Sequence, residues 1–337
     1  MKVMWVFVGL LLLIGCAPVE VKEGTKPGVQ KGMFSAKDDV EVTGASAMKG
    51  EKKVAIPIFR VAFTQNRGQS AKASAAHKSD HGTAHVSVKT KLLGVDKAVL
   101  QKITDDVYQT FLNDLKSKGF EIVDFETIKR NEAYASMTTV ESPKEVSSDT
   151  VGEVIMVAPT GTKLALMPAE DGAVSGFNVF SSNDPTKAIP KIVKDTNASV
   201  IVATYFVDYV NAGGSGGMFA TRASVEVGPG LSVRPGSGLQ YYGYQVSKCV
   251  GYCPDVIASV KLGQAVYSTE SFGEFKDVTQ SDAAQAAFGV VSSLLSGSVR
   301  KWKEYEMNAD SQKYQTITTQ LLKDTNTKLV QALADKR

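Results

Sequence analysis

Three groups of residues in this chain have types and spacings that could do chemistry. His77, His81 and His85 are all the histidines of the 337-residue chain and recur every fourth position. On a helix that spacing puts three imidazoles on one face, a surface able to hold a transition metal. Ser79 and Gly82 oppose a helix there, and Asp80 is the one carboxylate among them, so a solvated loop competes with the metal site. Gly213-Gly214-Ser215-Gly216-Gly217 has the G-x-S-x-G form of a nucleophile elbow, with Ser215 as the candidate nucleophile. That device needs a helix after the serine and a triad histidine later in the chain. An alternating run follows instead, and no histidine lies beyond His85, so a glycine-rich turn is expected. Cys249 and Cys253 stand in Cys-Val-Gly-Tyr-Cys. In an oxidising compartment such a pair reads as a disulfide closing a tight loop, with free thiols as the alternative. No phosphate-cradling G-x-x-x-x-G-K-[ST], no H-E-x-x-H and no complete G-x-G-x-x-G occurs. The expectation is a protein that is not an enzyme and carries no cofactor.

The remaining cysteine, Cys16, follows a basic residue, Lys2, and an apolar run over 3–13. That run is too short for a bilayer core of ~30 Å, which takes about twenty residues, so a cleaved export leader is expected over 1–15. Leu13-Ile14-Gly15-Cys16 resembles the lipobox of bacterial lipoproteins, whose signal peptidase cuts just before the cysteine that carries the acyl chains. An ordinary secretory leader with an incidental cysteine is the alternative. Each buried CH₂ of an acyl chain contributes ~0.8 kcal/mol, and two or more chains anchor stably. With Ala17 rather than Asp after the cysteine, the resemblance implies lipid anchoring at the periplasmic face of the outer membrane. The chain has 38 basic and 35 acidic residues, too even a balance to point to nucleic acid.

These residues need elements to position them. Residues 16–50, rich in Lys, Glu, Gly and Pro, predict a flexible tether ahead of a folded body over 51–300. The β-branched run 54–63 predicts a buried strand, and 64–85 an exposed loop. Val99, Leu100, Ile103, Val107, Phe111 and Leu115 recur at helical spacing within 95–118, and Gly119 is placed to stop the helix. A strand at 120–123 and a short helix near 126–134 follow. Residues 154–157 and 163–167 are candidate hairpin arms around Pro159-Thr160-Gly161. A helix over 185–196 leads to a second core strand at 198–207, with further strands at 219–227 and 256–269. Helices are expected over 283–305 and 311–334, the latter within a C-terminal amphipathic segment 301–337. The fold class is α/β, a mixed sheet flanked by helices.

This order, carried by Phe111-Leu112-Asn113-Asp114-Leu115-Lys116-Ser117-Lys118-Gly119-Phe120-Glu121-Ile122-Val123, by Ile128-Lys129-Arg130-Asn131-Glu132 and by Asn197-Ala198-Ser199-Val200-Ile201-Val202 with Tyr209 and the glycines after it, resembles the curli-secretion-channel lipoproteins. That family shares its periplasmic fold with the N-terminal domain of the TolB translocation protein. The likeness spans roughly residues 53–300 and concerns architecture more than activity. It implies an oligomer that forms or braces an outer-membrane secretion channel. Acyl chains on Cys16 would hold it to the bilayer, helices in 94–134 would make subunit contacts, and 208–270 would supply any wall strands. The alternative is a monomeric periplasmic adaptor that activates a cell-wall synthase or another envelope machine, similar to penicillin-binding-protein activator lipoproteins.

Overall fold

The computed structural model describes residues 19–22, 24–32, 35–74, 83–148, 152–167, 184–215, 224–249, 254–279 and 298–337. The first half of the chain contains β1 (Val19–Val21), β2 (Val40–Thr43), β3 (Lys53–Ser74), β4 (Thr83–Leu93), α1 (Lys97–Ser117), β5 (Glu121–Ile122), α2 (Phe125–Lys129), α3 (Glu132–Ala135), β6 (Lys144–Ser148) and β7 (Gly152–Val157). The second contains α4 (Ile189–Thr196), β8 (Ser199–Ser215), β9 (Ser224–Val233), β10 (Gly238–Tyr242), β11 (Ile257–Leu262), β12 (Val266–Ser268), β13 (Gly273–Asp277), β14 (Ser298–Ala309) and α5 (Ser311–Ala334).

The expected α/β fold is present as a mixed sheet with helices on both faces. Its centre is the parallel pair β3 and β8, paired from Val54↔Ser199 to Phe63↔Val207 with a register shift between Ala55 and Ile58. Antiparallel β10, β11 and β2 extend the sheet beyond β8. On the other side of β3 lie β5 and the β7–β6 ladder. Successive side chains on a strand point to opposite faces. Val54 and Ile56 and, beyond that register shift, which changes the parity, Phe59, Val61 and Phe63 join the cluster under α1 and α5, while Ala55 and Ile58 face the cluster of α2, α3 and α4.

Both long helices form where the sequence predicts them. Asp96 caps α1 by accepting from the Val99 N–H, and Gly119, at φ +79°, ends it in a conformation that suits glycine. Asp310 caps α5 by accepting from the N–H groups of Gln312 and Lys313. The two helices pack side by side over the sheet. Between them, the Phe59 ring lies 5.1 Å from Tyr108, 5.5 Å from Phe111 and 5.4 Å from Tyr205. Tyr205 Oη donates to Asn326 Oδ1 at 2.6 Å, and Asn326 Nδ2 donates to the Val107 carbonyl at 3.1 Å, so one buried amide joins β8, α5 and α1.

Where the fold departs from the sequence pattern, backbone pairing is the cause. The tether expected over 16–50 is partly built into the body. β2 pairs with β11, Ala47 and Met48 are buried, and β1 pairs with β9. An edge strand needs one neighbour's ladder and few apolar residues, which is why composition gave no sign of it. The loop expected over 64–85 is strand through Ser74 and again from Thr83. The hairpin expected between 154–157 and 163–167 is replaced by β6 with β7, leaving Leu164 in an isolated bridge with Val140. Residues 298–305, expected as helix, belong to β14, in which Tyr305 and Met307 are buried at period two. The same strand crosses the expected boundary at 300. The strand expected over 256–269 is broken at Gly263, where a Cβ would come 2.1 Å from the Asp38 carbonyl.

Candidate functional site

β3 and β8 part company after Phe63 and Val207, and each then takes a new partner. From Asn66↔Lys91 to Ser74↔Thr83, β3 pairs antiparallel with β4. From Val207↔Val233 to Ser215↔Ser224, β8 pairs antiparallel with β9. Because β3 and β8 run parallel, the two hairpins leave the body at the same end. At ~3.3 Å per residue each extends roughly 26 Å. β14 lies parallel along β4, and β1 parallel along the outer part of β9, so each arm has a third strand.

The fork is held open by polar side chains. Thr64 Oγ1 donates to Asp208 Oδ1, bridging the two strands where they separate. Asp208 Oδ2 lies 3.5 Å from Arg67 Nη1 and 3.7 Å from Arg234 Nε, and Asp208 itself is only 4% exposed. Tyr209 Oη donates to the Gln65 carbonyl at 3.2 Å and sits 3.0 Å from Thr90 Oγ1. Burial pushes its phenol above the usual range. The Arg234 guanidinium stacks 5.1 Å from the Phe206 ring. Register shifts fall at Thr64/Asn66 and Asp208/Val210, the irregularities by which strands bend away from a sheet. Residues of β3, β4 and β8, with Arg234 just after β9, therefore meet in one cluster at the fork.

A strap from the N-terminal segment closes one side of this cluster. The Lys22 N–H donates to the Val227 carbonyl at 3.1 Å, Asn211 Nδ2 to the Thr25 carbonyl at 2.8 Å, and Gln30 and Gln264 exchange a reciprocal pair of 3.0 Å bonds. The approach is so close that a Cβ on Gly228 would stand 2.0 Å from the Lys22 carbonyl.

Comparison with protein-family models, curated proteins and solved structures finds no match.

Among the residues singled out by sequence, Cys16, His77, His81 and Cys253 lie outside the described residues. His85 lies in β4 opposite Lys72, so the helical face expected for the histidines does not form there. The described residues contain no group of three or more His, Cys, Asp or Glu able to hold a metal. Cys249 is disulfide-bonded. Gly213, Gly214 and Ser215 lie in β8, paired with β9, in place of the expected turn; Gly216 and Gly217 lie outside the described residues, and the next described residues, from Ser224, are strand. Of the described strands in 208–270, the segment expected to supply any wall strands, β8 and β9 form the arm and β12 lies along its base beside Leu231–Val233, whereas β10 and β11 pair inside the body. The first arm comes from the segment read as a loop. No described helix is long and apolar enough to cross a membrane, a statement about helices alone. Sequence reasoning missed Thr64, Arg67, Asp208, Asn211 and Arg234. The one signal was Asp208, an isolated charge at the end of an apolar core strand.

Proposed function

We propose that this chain is an acylated envelope protein that works by assembly, with its arms directed toward the membrane that holds Cys16. The supporting observation is the direction of β1. It runs parallel to β9 from Val19↔Val225, beside the outer end of the second arm. Two residues, Ala17 and Pro18, separate Cys16 from Val19, and the three Cα–Cα steps reach roughly 11 Å at most. Acyl chains on Cys16 then sit at the outer end of the arm, and the body stands close to the bilayer.

The resemblance to the curli-secretion-channel lipoproteins supplies the next step, a ring of copies that forms or braces an outer-membrane secretion channel. A lone arm has unpaired strand edges, which hydrocarbon does not tolerate, so neighbouring copies must close them. Charge separates the two arms. The first carries Arg67, Lys72, Lys89 and Lys91, and Arg or Lys facing lipid at the bilayer midplane costs about 2–4 kcal/mol. Its place is a water-filled lumen or the headgroup layer. The outer part of β8, Ala212-Gly213-Gly214-Ser215, is uncharged and small. The second arm carries Glu226 on β9 as the one charge in 210–215 and 224–233, and bracing by the first arm with wall formation by the second fits this difference in composition.

Molar mass of the acylated chain in detergent tests assembly, and planar-bilayer conductance tests an open pore. Many copies per particle are expected. A monomer overturns the ring and leaves the adaptor reading, while a ring without conductance leaves bracing alone. Cys16→Ser is expected to release the chain from membranes, and unchanged membrane retention would remove the anchor.

A further inference from the structure

The fork contains a small chamber of about 240 Å³, walled by Pro27, Gly28 and Gln30 of the strap and by Arg67, Asp208 and Arg234. Its charge is unbalanced. Two guanidiniums, which stay protonated in proteins, face one carboxylate. Asp208 Oδ1 is engaged by Thr64, and Oδ2 stands 3.5 Å and 3.7 Å from the two arginines. Charge-assisted N–H···O bonds run to about 2.7–2.9 Å, so neither arginine is drawn fully onto Asp208. Neither guanidinium donates a shorter hydrogen bond among the described residues. The Arg234 side chain is 22% exposed and that of Arg67 32%, which leaves the pair accessible from solvent. Burial above all lowers the Arg234 pKa; Asp208 opposes this, and the positive charge of Arg67 adds to it.

We propose that this chamber binds a small oxyanion, of phosphate or carboxylate type, between the Arg67 and Arg234 guanidiniums. Each planar fork presents paired N–H donors that match two oxygens of such a group. An oxyanion there offsets the charge that Asp208 alone leaves over and draws β3, the segment after β9 and the strap together. The ligand thereby stiffens the angle between the arms.

Calorimetric titration of the detergent-solubilised full chain with sodium phosphate, and separately with sodium acetate, tests this at constant ionic strength maintained with chloride. Saturable uptake of about one anion per chain is expected for at least one of the two, and which one responds tells a tetrahedral from a planar oxyanion. Arg67→Gln and Arg234→Gln each lower the affinity about tenfold or more, from the worth of hydrogen bonds to charged groups. Arg→Lys at either position, keeping charge but losing the fork, falls between. Asp208→Asn removes the competing internal carboxylate and binds the anion several-fold more tightly, a direction that a purely structural role for Asp208 does not predict. Circular dichroism checks that each variant folds; should Asp208→Asn fail, the arginine variants decide. Absence of saturable binding by either anion, or equal binding by wild type and both Arg→Gln variants, overturns the site.

Discussion

The inner and outer halves of β3 and β8 follow different rules, although each strand is continuous. The inner halves, Val54↔Ser199 to Phe63↔Val207, are covered on both faces and held by aromatic packing and by the Asn326 bridge. The outer halves are held by backbone ladders to β4 and β9, with sequences rich in Ser, Ala, Gly and Lys. Burial fixes the first kind of strand. The second kind is held largely by the hydrogen bonds a neighbour supplies, with buried side chains such as Tyr209 and Asn211 close to the fork.

Alkaline pH should expose this contrast most strongly. Burial is the leading cause that raises Tyr108, to about 12, and also Tyr205, Tyr209, Tyr241, Tyr242 and Tyr314. An unfolded phenol titrates near ~10. The folded state favours the neutral form, so this stabilisation is fully present below ~10 and is lost as pH rises from there through the folded values. Residues 66–93 and 210–227 contain no tyrosine. The body should therefore unfold cooperatively above pH ~10, with phenolate absorbance rising as helical circular dichroism falls. Phenols titrating near 10 in an intact fold would contradict it.

Phe59→Ala should cost about 3–5 kcal/mol in urea unfolding, the range for a buried Phe. Asn326→Ala should cost about 1–3 kcal/mol, because the Tyr205 hydroxyl and an α1 carbonyl lose their buried partner. A midpoint unmoved by either change would sink the claim that the inner halves carry the stability. Gly228→Ala should lift the strap, whose Lys22 carbonyl it would strike. Faster hydrogen exchange across residues 19–30, with the body's unfolding midpoint nearly unchanged, is the outcome sought. The smallest effect belongs to the outer half of β3. A Cβ added at Gly68 would meet nothing within 4 Å, and Gly68→Ala should stay within about ±0.5 kcal/mol. A larger loss would show that the arm is packed in the isolated chain.

The parts legible in sequence are those in which one chain segment carries its own signal. The stripe from Leu100 to Leu115 with its Asp96 cap marks α1, and the stripe from Tyr314 to Leu333 marks α5. The apolar runs 54–63 and 198–207 mark the core strands. The fork was not legible, because Thr64, Arg67, Asp208, Asn211 and Arg234 acquire meaning only where strands from distant parts of the chain diverge. The 64–85 segment failed for a related reason. Its sequence, Gln-Asn-Arg-Gly-Gln-Ser-Ala-Lys-Ala-Ser over 65–74, has no apolar alternation to read.

Sequence by itself determined the lipobox-like motif at Cys16, helices α1 and α5 and the apolar core strands, since each follows from local periodicity or a contiguous motif. Tertiary structure alone decided that β3 and β8 lie parallel, that their extensions leave by the same end, and that β1 returns beside the second arm. Those outcomes depend on which backbone pairs with which. Backbone N–H and C=O groups are the same in every residue but proline, so that choice is made by the folded whole.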